Sequence, residues 1–209
     1  MLWIVGITSA FNAIDNMDGL ASGISGIISL MFIIVAIASA QWAFGLLACS
    51  LCAASIGFLY FNFHPARIFL GNGGSLFLGF TLGIIAVLGS WSTNRVIAFT
   101  IPLLIMAMPI FDILYVIILR YRQGLTPNIR EIINYCGKDH LSHRLLGLGF
   151  RQGRVVLLLY VLSLCLGLGA VLLKVELAEH KAFILIVQAL MIVLIMGILL
   201  NIKGNNQKA

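Results

Sequence analysis

Four polar side chains crowd into ten residues of an otherwise apolar stretch: Asn12, Asp15, Asn16 and Asp18 in the line FNAIDNMDGL. Charged residues make up only 10% of the 209-residue chain, yet two of its seven acids fall here. A carboxylate taken into hydrocarbon costs a few kcal/mol, so this cluster is expected to face a cavity or the membrane edge and to serve a function. Asp15 and Asp18 are three apart, a spacing that on a helical turn brings both carboxylates to one side. Hard oxygens so arranged suit Mg²⁺ carrying a bound phosphate.

Two further clusters carry chemistry. In FNFHPARIFLGNGGSLFLG, Gly71, Gly73 and Gly74 would let the backbone approach a ligand, and Ser75 is placed to cap the following helix. Backbone N–H groups at such a terminus form an anion site. No lysine follows the glycines, so this is no Walker A loop. The other cluster, GKDHLSHRL, holds His140 and His143 three apart, flanked by Asp139 and Arg144. Such histidines can act as metal ligands, phosphate donors or an acid/base pair. Two histidines with no clustered thiolates argue against a closed zinc site.

The elements that must position these residues are membrane helices. Hydrophobic residues make up 61% of the chain and mean hydropathy is +1.10, far above soluble usage. Apolar runs long enough to span a bilayer read at 20–40, 43–61, 75–91, 97–119, 154–174 and 182–202, with a short seventh at 2–14 taken as the tail of a span. The expected fold is an all-α polytopic membrane bundle, about six full spans plus one partial N-terminal helix, forming a single transmembrane domain over 1–209. Pro102 and Pro109, seven apart in one run, are expected to kink it, and Asp112 follows Pro109 within one turn. Cys49 and Cys52 form a CxxC inside an apolar run, without a second pair or nearby histidine, and read as small buried hydrophobes.

Alternating the spans puts the loops at 15–19, 62–74 and 120–153 and the C-terminal tail on one side. That side carries ten of the thirteen basic residues: Arg67, Arg120, Arg122, Arg130, Lys138, Arg144, Arg151, Arg154, Lys203 and Lys208. Arg95, Lys174 and Lys181 lie opposite. The positive-inside rule makes the shared side cytoplasmic. A basic cytoplasmic face suits anionic headgroups and phosphorylated substrates, and no nucleic-acid recognition module is visible.

In order and spacing, SAFNAIDNMDGLASG, FLGNGGSLFLGF, PIFDILYVIILR and GKDHLSHRLLGLG resemble the motifs of the polyprenyl-phosphate N-acetylhexosamine-1-phosphate transferases. The resemblance covers nearly the whole chain and implies a bacterial plasma-membrane enzyme. Its members move a sugar-1-phosphate from a UDP-amino sugar to a polyprenyl (undecaprenyl) phosphate, release UMP and initiate cell-wall or surface polysaccharide synthesis. It implies catalytic roles for Asp15, Asp18, His140 and His143. Substrate contacts would come from Asn12, Asn16, Gly71, Gly74, Ser75, Asp139 and Arg144, and Mg²⁺ would be held at Asp18 and Asn72. A homodimer is implied as well.

Two departures stand out. The family carries Asp where this chain has Asn72, and it has upstream spans with a paired-aspartate motif that does not occur in this sequence. The expectation is therefore the C-terminal part of such an enzyme, with a non-catalytic remnant as the alternative. An ion-coupled transporter, the reading from another class, would put acids near the midplane and substrate loops on both faces.

Overall fold

The computed structural model describes residues 1–122, 139–174 and Gln188. Among them the chain is helical throughout: α1 (Leu2–Ile14), α2 (Leu20–Ala38), α3 (Trp42–Asn62), α4 (Gly71–Leu88), α5 (Arg95–Ile105), α6 (Ala107–Arg122), α7 (Leu141–Gly147) and α8 (Gln152–Lys174). The expected run at 182–202 apart from Gln188, and residues 123–138 of the 120–153 loop with Cys136, lie outside the described residues.

Four helices, α2, α3, α4 and α8, are long and apolar enough to cross a membrane, and α5 with α6 makes a fifth if the bent pair is one span. The protein is thus a multi-pass membrane protein of all-α type. Helix α2 is the centre of the bundle: Ile24, Ile28, Phe32, Val35 and Ala36 are wholly buried, packed against α3 on one side and α8 on another. By contrast, α3 exposes Leu46, Ile56 and Tyr60, as a helix facing lipid would.

Helix α1 lies along α4. Gly79 makes that approach possible, since a Cβ there would sit 2.8 Å from both Thr8 Cα and Phe11 Cβ. The contact is one turn beyond Ser75, so it sets the distance between Asn12 on α1 and the glycine run on α4.

The run expected as one kinked span is two helices meeting at 75°. The break falls at Met106, between Ile105 and Ala107. Pro109 supplies no N–H for the carbonyl of Ile105, so the helical ladder is interrupted just where the axis turns. The bend sends α6 past α1 and α8, which brings Asp112 to the end of the bundle holding α7.

A candidate phosphoryl-transfer site at one end of the bundle

The turn between α1 and α2 is the hub. Gly19 holds it with φ 78°, a left-handed conformation that a side chain would strain. Its N–H donates to Asn62 Oδ1 at 3.1 Å and its carbonyl accepts from the Tyr160 hydroxyl on α8. Asn62, 4% exposed, also takes a bond from Ser22 Oγ at 2.8 Å and donates to the Ile68 carbonyl at 2.9 Å. One buried amide therefore ties the turn to α2 and to the loop after α3.

From this hub, side chains reach each of the other polar segments. Ser75 Oγ donates to Asn12 Oδ1 at 2.9 Å, joining the glycine run to α1. Ser142 Oγ donates to Asn16 Oδ1 at 2.7 Å, joining the histidine segment to the turn. Asp18 Oδ2 lies 2.9 Å from His64 Nδ1 and accepts from the Ala66 N–H at 3.3 Å, joining the turn to the loop before α4. The three clusters, up to 126 positions apart in the chain, meet at one end of the bundle.

Two local readings change. Ser75 is not a cap: α4 begins at Gly71, so Ser75 lies a full turn inside it, wholly buried. Its hydroxyl is within 3.1 Å of the Gly71 carbonyl as well as of Asn12, the back-bonding expected of serine within a helix. The histidine segment is also not a plain loop. His140 stands at the N-cap of the short helix α7, and His143 and Arg144 lie on it.

His140 is oriented by a residue absent from the expected site. Asp112, 2% exposed, places Oδ2 at 2.7 Å from His140 Nδ1 and accepts the Leu141 N–H on Oδ1 at 2.9 Å. An ionised carboxylate only accepts, so Nδ1 carries the proton. In the neutral ring Nε2 then keeps its lone pair, as in carboxylate-oriented histidines of other active sites. Nearby, the buried Arg120 donates through Nε to Asp139 Oδ2 at 3.1 Å. The Arg144 guanidinium donates to the Tyr115 hydroxyl and lies 5.2 Å from that ring's centroid.

His64, Asn62 and Tyr115 are thus the neighbours that sequence reasoning passed over, and Asp112 the one whose partner it could not name. For His64 and Asn62 a signal existed, because both stand in the same polar line as the glycines. Asp112 was singled out beside its proline, but its partner 28 positions away could not be read.

Asp15 differs from the other aspartates. It has no hydrogen-bond or charge partner among the described residues, and burial pushes its pKa up to about 6. An uncompensated, half-buried carboxylate is a group that a cation would relieve. No set of three metal-ligating side chains occurs among the described residues. The described residues therefore form no closed protein cage for an ion.

Residues 1–90 match the family described as glycosyl transferase family 4. A Bacillus subtilis protein named "Probable undecaprenyl-phosphate N-acetylglucosaminyl 1-phosphate transferase" is 34% identical over 98% of this chain and 54% of its own length. The chain belongs to glycosyl transferase family 4. Among other family relatives, the phospho-N-acetylmuramoyl-pentapeptide-transferase of Chlamydia muridarum is 50% identical over 42% of the chain and 27% of its own length. The decaprenyl-phosphate N-acetylglucosaminephosphotransferase of Mycolicibacterium smegmatis is 31% identical over 79% of the chain and 44% of its own length. The chain spans about half the length, or less, of these family members.

Proposed function

We propose that this chain carries part of the active site of a transferase that moves N-acetylhexosamine-1-phosphate from a UDP-sugar to polyprenyl phosphate. The observation that supports this best is the meeting of the three polar segments on one turn through Asn12, Asn16 and Asp18. The sequence, whose alternating spans are expected to put ten of thirteen basic residues on that side, supports a site facing the cytoplasm, where UDP-sugars are found.

In the reaction an oxygen of the lipid phosphate attacks the β-phosphorus of the UDP-sugar. The bond from β-phosphorus to the bridging oxygen breaks, UMP leaves with that oxygen, and a new diphosphate joins sugar to lipid. Such chemistry needs positioning and charge neutralisation more than covalent help. Asp15, Asp18 and, in the family's usual place for an aspartate, Asn72 are the residues that would hold a divalent cation. Bound there, Mg²⁺ would neutralise diphosphate charge. Asp18 keeps the turn in register through His64. His140, oriented by Asp112, offers the Nε2 lone pair to the nucleophile's proton, and His143, Asp139 and Arg144 line the sugar-phosphate side. Asn12 and Ser75 fix the glycine run; the open space at Gly71 leaves room for the substrate, while Gly74 lets Leu70 pack closely against the helix.

The test is UMP release from UDP-N-acetylglucosamine with undecaprenyl phosphate and Mg²⁺ in lipid. It is run on this chain alone and on the chain co-expressed with the N-terminal spans of a family member. Activity is expected only in the combination and falls at least about 10²-fold in Asp15→Asn. No UMP from the combination, or full activity in Asp15→Asn, overturns the assignment.

A further inference from the structure

The end of the bundle that carries the turn also bears three arginines, Arg67, Arg151 and Arg154, whose side chains have no ion pair or hydrogen bond among the described residues. They surround a double hollow between the end of α3 and the start of α8. One lobe, of about 550 Å³, is lined by Phe63, His64, Arg151, Arg154 and Leu157. The other, of about 330 Å³, is lined by Phe63, His64 and Arg67, with Tyr60 and Phe61 at its edge. Phe63 and His64 form the shared wall.

Three features of this hollow point to one kind of occupant. Guanidinium groups match phosphate oxygens in a planar, bidentate way. Positive charge beside a span's end is favourable where an anionic headgroup can meet it. The lining mixes these cations with Phe63 and Leu157, and exposed Tyr60 and Phe61 stand where aromatic side chains mark the membrane interface. A soluble anion would satisfy the arginines and leave the apolar wall bare. A lipid covers both.

We propose that this hollow binds the headgroup of an anionic bilayer phospholipid, its phosphate between Arg151 and Arg154 and its first acyl carbons against Phe63 and Leu157. Because the His64 ring also bonds Asp18, the lipid buttresses the loop that holds the catalytic turn.

The test uses the full chain in detergent, titrated with dioleoyl phosphatidylglycerol or dioleoyl phosphatidylcholine and read by native mass spectrometry. It requires neither nucleotide nor turnover, so it stands or falls separately from the proposed reaction. Phosphatidylglycerol should be retained and phosphatidylcholine lost. Arg151→Gln with Arg154→Gln should weaken retention about 30-fold, from the loss of two charges near a phosphate. The paired lysine variant should keep most of it, and Arg95→Gln at the opposite end should change nothing. If the glutamine pair fails to run as a single species in gel filtration, Leu157→Trp, which fills the hollow, must abolish retention instead. Equal retention of both lipids, or no effect of the glutamine pair and of Leu157→Trp, overturns the proposal. Displacement by glycerol 1-phosphate at equal concentration would make this a free-phosphate site, and preferential retention of undecaprenyl phosphate would assign the hollow to the acceptor; either result refutes the phospholipid.

Discussion

Asp15 is the one described aspartate left without a partner, and its raised pKa has a definite sign. The folded value of about 6 exceeds the ordinary 3.8, so folding favours the protonated form. Stability from this group is complete below about pH 4 and is lost as the pH rises through 6. Asp15→Asn should therefore raise the thermal midpoint in cation-free detergent at pH 7.5. The gain corresponds to at most ~3 kcal/mol, less what solvent screening removes, and it should shrink steadily between pH 6 and pH 4. A midpoint difference independent of pH would mean that Asp15 is well solvated. Asp112, by contrast, has both its oxygens engaged. Asp112→Asn keeps the shape but can present an N–H to the His140 ring, reversing the tautomer. UMP release in the combined enzyme should fall about 10- to 100-fold, as for other residues that orient a functional histidine, with thermal stability reduced much less. Asn72→Asp adds the charge the family usually has there, and activity should be equal or higher.

The helices themselves are held to these distances by a few close approaches. Gly79→Leu would force α1 away from α4 and part Asn12 from Ser75. Overpacking of this kind costs about 1–3 kcal/mol, or several degrees in midpoint for a chain of this size. A thiol-reactive dye reporting on the buried Cys52 would measure it. Much at this scale was legible beforehand. Long apolar runs announce membrane helices because every backbone group in lipid must be satisfied within the segment. The four long spans described, and the polar segments between them, fall where hydropathy places them. The sharp turn at Met106 was legible only as a proline kink, since the angle depends on what α6 packs against. Helix α7 was hidden inside a polar segment because it has only seven residues and its first N–H is met by Asp112, 29 positions away. The partners His64 for Asp18 and Asp112 for His140 were equally hidden, being long-range pairs with no local signature.

For the molecule as a whole, the bonds that shape the site are almost all between distant segments. Tyr160 meets Gly19 across 141 positions, and Ser142 meets Asn16 across 126. Tyr160→Phe would remove the α8 tie to the Gly19 carbonyl, which keeps its bonds from the Gly23 N–H and the Ser22 hydroxyl, and a loss of about 1 kcal/mol is expected for one such bond, read as a small drop in midpoint together with a larger drop in UMP release. The same separation has a consequence for biogenesis. Synthesis proceeds at about 5–20 residues per second, so α1 and α2 enter the bilayer roughly 7 to 30 s before Tyr160 exists. Throughout that interval the turn between α1 and α2 holds Asp15 and Asp18 with neither Tyr160 nor α7 in place. A nascent chain thus differs from a finished one at this turn, which stays unlatched until Tyr160 and Ser142 arrive. In ribosome-stalled chains a cysteine replacing the buried Met17 should react with a soluble maleimide until α8 has emerged, and be protected from then on.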